Sequence, residues 1–119
     1  MTPFGKAVRH LRIEREMLLG SMADALGVSS SYLSQIESGK KSIPHGFADR
    51  VAQLMGLNMI ATSELRQQAA LSMAEFKIQV ADSAPASDRI LAGELAHEFA
   101  RLTPEAKDGI AKLLRGGGK

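Results

Sequence analysis

The sequence predicts a mainly α protein, and three observations carry that reading. Apolar residues recur at spacings of three and four along most of the 119 residues. N-cap residues, proline at early helical positions and glycine just past helix ends punctuate these stretches. Only one run, residues 76–80, alternates with a period of two, so a single short strand is expected there.

Pro3 opens the first helix, expected over residues 4–16, with Phe4, Val8 and Leu11 facing inward beside Ala7 and Arg15. A short second helix, Leu19–Leu26, puts Met22 and Leu26 one turn apart on its inner face. Gly27 follows, where a residue without a Cβ can take a positive φ, and Val28 fills the corner. Ser29 is a good cap for a third helix, Ser30–Ser38, and Gly39 a good stop. In that helix Leu33 and Ile36 point one way. Ser30, Ser31, Ser34 and Gln35 point the other, an uncharged hydrogen-bonding face. The order helix, glycine turn, helix over residues 22–39 is that of a helix-turn-helix.

Residues 40–44 form a short basic loop ending in Pro44. A fourth helix is expected over residues 45–55, with Phe47, Val51 and Leu54 inward and Gly56 as its stop. Residues 58–61 read as a connector, and Ser63 as the cap of a fifth helix over residues 64–71. The alternation of Phe76, Ile78 and Val80 with Lys77 and Gln79 then predicts the strand. A solitary strand cannot satisfy its own backbone groups, so the same strand of a second copy, antiparallel about a two-fold axis, is the favoured partner. An extended linker packed on the helices is the alternative.

Residues 81–86 are small and polar and read as a linker. Ser87 can cap a helix over residues 88–102, striped by Leu91, Leu95, Phe99 and Leu102. Thr103, Pro104 and Glu105 are a cap, an N1 proline and a first-turn acid. They start a last helix over residues 104–115 that carries Ile110, Leu113 and Leu114 before a flexible glycine tail. Two domains are expected, residues 1–72 and residues 73–119. The second is a dimerisation or partner segment built on Phe76, Ile78, Val80, Leu91, Leu95 and Phe99.

Composition narrows the function. Hydrophobic residues are 45% and charged residues 24%, enough for a modest globular core. Cysteine is absent, which excludes a disulfide framework and a thiolate metal site. The first residues lack a signal-peptide pattern, and no run approaches the ~18 apolar residues of a membrane span, so no membrane partner is expected and a cytoplasmic location is. His10, His45 and His97 stand on separate helices without ligand spacing. The terminal GGGK lacks the Ser/Thr of a phosphate loop, and no serine sits in a nucleophile elbow. No enzyme, cofactor or metal is expected. The net charge of +2 is small, but its placement is uneven: residues 1–60 hold seven Lys/Arg against five Asp/Glu, and residues 61–119 hold eight of each.

Residues 4–57 resemble the Cro/C1-type (XRE-family) helix-turn-helix regulators of bacteria and phage. The resemblance is carried by Phe4, Val8, Leu11 and Arg12, by Met22, Ala23 and Leu26–Gly27–Val28–Ser29, and by Leu33, Ile36, Glu37, Gly39, Lys40 and Pro44. It implies a five-helix lambda-repressor-like DNA-binding domain whose third helix lies in the major groove of double-stranded DNA. Carried over by position, Ser30, Ser31, Tyr32, Ser34 and Gln35 would contact bases. Gln35 is the leading reader, because an amide pairs with adenine N6 and N7. For Tyr32 a partly buried ring on the helix flank is an equal alternative. Ser21, Ser38, Lys40, Lys41 and Ser42, with Lys6 and Arg9, would meet phosphates. Arg12 and Glu37 match a buried ion pair that orients the recognition helix. The chain departs from the family at the start of helix two, where Leu18 and Leu19 replace the usual cap and glutamine. The function implied is a homodimeric, nucleoid-associated repressor on an inverted repeat. The alternative is an antitoxin-like DNA-binding protein whose C-terminal half holds a protein partner.

Overall fold

The computed structural model describes residues 1–117, which divide into two units, Met1–Lys77 and a second from Ile78 onward. The first unit contains five helices: α1 Pro3–Glu14, α2 Leu19–Leu26, α3 Ser30–Ser38, α4 Phe47–Met55 and α5 Met59–Leu71. The second contains α6 Ala86–Glu98, tightened into a 3-10 turn over Phe99–Arg101, and α7 Pro104–Lys112, which ends in a wide turn at Leu113–Gly117.

The first unit is built around one apolar core. Phe4 and Val8 of α1, Met22 of α2, Leu33 and Ile36 of α3, and Phe47 and Val51 of α4 are fully buried. Each such side chain contributes roughly 1.5–3 kcal/mol on leaving water. Phe4 and Phe47 meet edge to face, with ring centroids 6.2 Å apart, and so tie the first helix to the fourth. Leu65 and Ala69 bring α5 onto the same core.

The mainly helical class holds, and several boundaries move for local reasons. α1 stops at Glu14 rather than residue 16, because Glu16 adopts a left-handed φ of 51°. α4 starts at Phe47 rather than residue 45, since Gly46 stands at φ 76°, outside helical space. The segment expected as a connector is the first turn of α5: Asn58 Oδ1 accepts the Ala61 N–H at 2.8 Å and starts the helix five residues early. Thr103 caps α7 as expected, its hydroxyl accepting the Ala106 N–H.

The expected strand does not form. Among the described residues there is no strand, and residues 76–80 run as irregular chain with Phe76 61% and Ile78 51% exposed. The physical reason lies in what the alternation can specify. A period of two sets which side chains share a face, but a strand exists only through backbone pairing with a neighbour. Among the described residues no segment pairs with it.

In the second unit neither α6 nor α7 has a buried residue. Leu95, Leu102 and Ile110 are half-covered, whereas Leu91 and Phe99 are 66% and 53% exposed. Lys107 Nζ sits 5.0 Å above the Phe99 ring.

Candidate nucleic-acid interface

The site is assembled around α3. Ser29 has β-region dihedrals and its hydroxyl accepts the Tyr32 N–H at 3.0 Å, so the helix starts where a cap is available. Gly27 supplies the turn before it at φ 74°, its amide returning to Ala23 and Asp24. Gly39 closes α3 at φ 91°, its amide donating to Gln35 and Ile36. Both positions lie in the left-handed region that glycine occupies without strain.

Burying Leu33, Ile36 and Glu37 on one side of α3 forces the other side outward. Ser30, Ser31 and Ser34 are exposed there, with Gln35 half-buried beside them. Gln35 Nε2 donates to Ser31 Oγ at 3.1 Å, one turn back. That bond uses one amide hydrogen and holds the side chain along the helix, leaving Oε1 and the second hydrogen for a ligand. Tyr32 packs partly against the core, on the flank of the helix.

The basic loop continues from the C-terminal end of α3. Lys40, Lys41 and Ser42 are exposed, while Ile43 anchors the loop in the core. The Lys41 amide donates to the Gln35 carbonyl at 3.1 Å, and Ser38 Oγ donates to the same oxygen. The Lys41 amide therefore serves the helix end, and only the lysine side chain is left to offer charge. Ser21 is exposed on the first turn of α2, a helix with no side-chain cap at Leu18. The α2 and α3 starts approach closely: a Cβ on Gly20 would stand 3.5 Å from Ser30 Oγ. Lys6 and Arg9 are exposed on α1.

Beneath this surface Arg12 Nη2 donates to both carboxylate oxygens of Glu37, at 3.1 and 3.3 Å. The two side chains are only 14% and 6% exposed. A pair this shielded ties α1 to the last turn of α3, and removing one partner strands the other's charge.

The match to a family model falls on this same unit. Residues 3–59 match the family model described as a helix-turn-helix domain. This region is a helix-turn-helix domain. Over 44 residues the chain is 41% identical to the HTH-type transcriptional repressor RghR of Bacillus subtilis (strain 168), covering 37% of this chain and 33% of that protein. It is equally similar to the uncharacterized HTH-type transcriptional regulator RghRB of the same organism, covering 32% of it. The chain thus aligns with about a third of the length of these relatives. No solved structure matches it.

The helix-turn-helix domain also relies on contacts the sequence did not reveal. Arg50 of α4 donates to the Leu26 carbonyl, holding the end of α2, and lies 5.7 Å over the Phe47 ring. Arg15 Nη2 donates to the Met55 carbonyl at 3.2 Å and serves the end of α4 in the same way. Gly5 is buried in the first turn of α1. Glycine inside a helix is unfavourable by about 1 kcal/mol relative to alanine, and that signal points to close approach of another chain segment. The sequence does not say which segment approaches.

Among the described residues no group of His, Asp and Glu is placed to hold a metal ion. No helix among them is long and apolar enough to cross a membrane.

Proposed function

We propose that this chain is a sequence-specific DNA-binding transcriptional repressor that acts as a homodimer on an inverted-repeat operator. The observation that carries the reading is the two-sidedness of α3. One side is core, and the other is an exposed, uncharged, hydrogen-bonding surface continued by Lys40 and Lys41. Side chains that both donate and accept suit base edges, and flanking lysines suit phosphates. Gln35 is the principal base reader. Ser30, Ser31 and Ser34 add short contacts, and Tyr32 contributes from the flank. Lys40, Lys41 and Ser42 set the register, with Ser21, Ser38, Lys6 and Arg9 as outer backbone contacts. The name of RghR, a repressor, supports the sign of regulation.

The second unit supports the dimer. Two helices with no buried residue have no core of their own, and Leu91, Leu95 and Phe99 offer apolar surface for a second copy to cover.

Selection of binding sites from a pool of random-sequence duplexes by the purified protein tests the function. The expected product is an inverted repeat with half-site centres about 10 bp apart, or a multiple of that. A pool that emerges without enrichment contradicts it. Sedimentation of the protein alone checks the dimer. A monomer that assembles only with a second protein moves the C-terminal surface to a partner of another kind.

A further inference from the structure

Arg12 holds the side chain of Glu37, but something else holds its main chain. At the end of α3 the Gly39 amide serves Gln35 and Ile36, and the Lys41 amide serves Gln35 again. The Glu37 carbonyl is met instead by the first turn of α1. The Thr2 N–H donates to it at 3.4 Å. Gly5 lies so close that an added Cβ would stand 1.8 Å from that oxygen and 2.6 Å from its carbon. The positive end of one helix is thereby set against the negative end of another, and only a glycine permits it.

That first turn is itself fixed from behind. Thr2 Oγ1 accepts the Gly5 N–H at 3.0 Å. Ser72, just past α5, accepts the Phe4 N–H at 3.0 Å through Oγ, and the same hydroxyl donates to the Gln68 carbonyl at 2.8 Å. The Ser72 hydroxyl thus joins the end of α5 to the start of α1, and α1 bears on the end of α3. Thr2, Ser72 and the basic loop at Gly39, Lys40 and Lys41 also line one cleft. A shift of the first turn of α1 therefore reaches both the reading helix and the lysines after it.

We propose that Thr2, Gly5 and Ser72 are positioning residues for the reading helix, a second clamp that fixes the main chain of Glu37 as Arg12 fixes its carboxylate. The inference rests on the DNA-reading role of α3 proposed above. It concerns selectivity as well as folding, because base contacts need α3 at one pitch whereas phosphate attraction tolerates several.

The test uses the full chain and the duplex that wild type enriches from the random pool. Affinities for that duplex and for a scrambled one are measured well below the melting temperature. Ser72→Ala is expected to lower the ratio of specific to non-specific affinity about 5- to 10-fold, the scale of one lost hydrogen bond. Ser72→Thr, which keeps the hydroxyl, is expected to restore the ratio. Thermal stability falls in the alanine variant under a purely structural role as well, so the ratio decides. If Ser72→Ala does not fold, Thr2→Val, which removes only the cap on Gly5, is measured the same way. A folded variant that keeps the wild-type ratio overturns the clamp. A wild-type selection that enriches nothing overturns the DNA reading on which the clamp rests.

Discussion

The two units of this chain use similar residue types to different ends. The helix-turn-helix domain gathers Phe4, Val8, Met22, Leu33, Ile36, Phe47 and Val51 into a common core, all seven fully buried, while Ile13, Leu18, Ile60 and Leu71 stay exposed. The α6–α7 unit has Ile90, Leu91, Phe99, Leu113 and Leu114 as well, yet all five are more than half exposed. Large apolar residues are thus common to both units, and only the first buries many of them among its own helices. A helix pair of this size buries too little apolar area to offset its chain entropy alone. The first unit carries its own core, and the second leaves most of its large apolar side chains uncovered.

The largest effects that test this contrast lie in the core. Phe47→Ala removes a fully buried ring and its contact with Phe4, and is expected to cost about 3–5 kcal/mol in denaturant unfolding. Phe99→Ala should leave the unfolding free energy of the first unit within about 0.5 kcal/mol of wild type and weaken self-association instead. A large loss of first-unit stability from Phe99→Ala would break the comparison. Arg12→Ala strands the Glu37 carboxylate and is also expected to cost about 3–5 kcal/mol, read by the same unfolding measurement.

Smaller effects sharpen the picture of the surface. Gln35→Ala should weaken binding to the selected duplex by about 1–3 kcal/mol and relax preference at one base position in a repeated selection, without changing thermal stability. Lys40→Ala with Lys41→Ala should weaken binding to all duplexes alike and make log Kd less dependent on log salt, by a slope change of about 2. Smallest of all, Asp49→Ala breaks an exposed pair with Arg66 on α5. It should change stability by no more than about 1 kcal/mol.

These regions also differ in how much of them could be read from the sequence. Helix α3 and its turn were legible because their determinants are local. Ser29 accepts the amide three residues on, and Gly27 and Gly39 end the helices immediately before them. The Arg12–Glu37 pair was accessible only through the family resemblance, since 25 residues separate its members. The contacts of Gly5 with Glu37, Ser72 with Phe4 and Arg50 with Leu26 were not legible. A glycine, a serine and an arginine carry no mark of a partner 24 to 68 residues away. The early start of α5 was missed because Asn58 reads equally well as a turn residue and as a cap. The strand at residues 76–80 was misread for a different reason. Phe76, Ile78 and Val80 do alternate, but the pairing that makes a strand is not encoded by five residues alone.

The central claim is a division of labour, with α3 of each copy reading DNA and the second units holding two copies together. Hydroxyl-radical footprinting on the selected duplex tests it most directly, comparing wild type with the double variant Leu91→Asp and Phe99→Asp. Wild type is expected to protect two patches on one face of the duplex, about one helical turn apart or a multiple of it. The double variant is expected to protect a single patch at higher protein concentration. Two equally spaced patches with the double variant at wild-type concentration, or no protection with wild type, would contradict it.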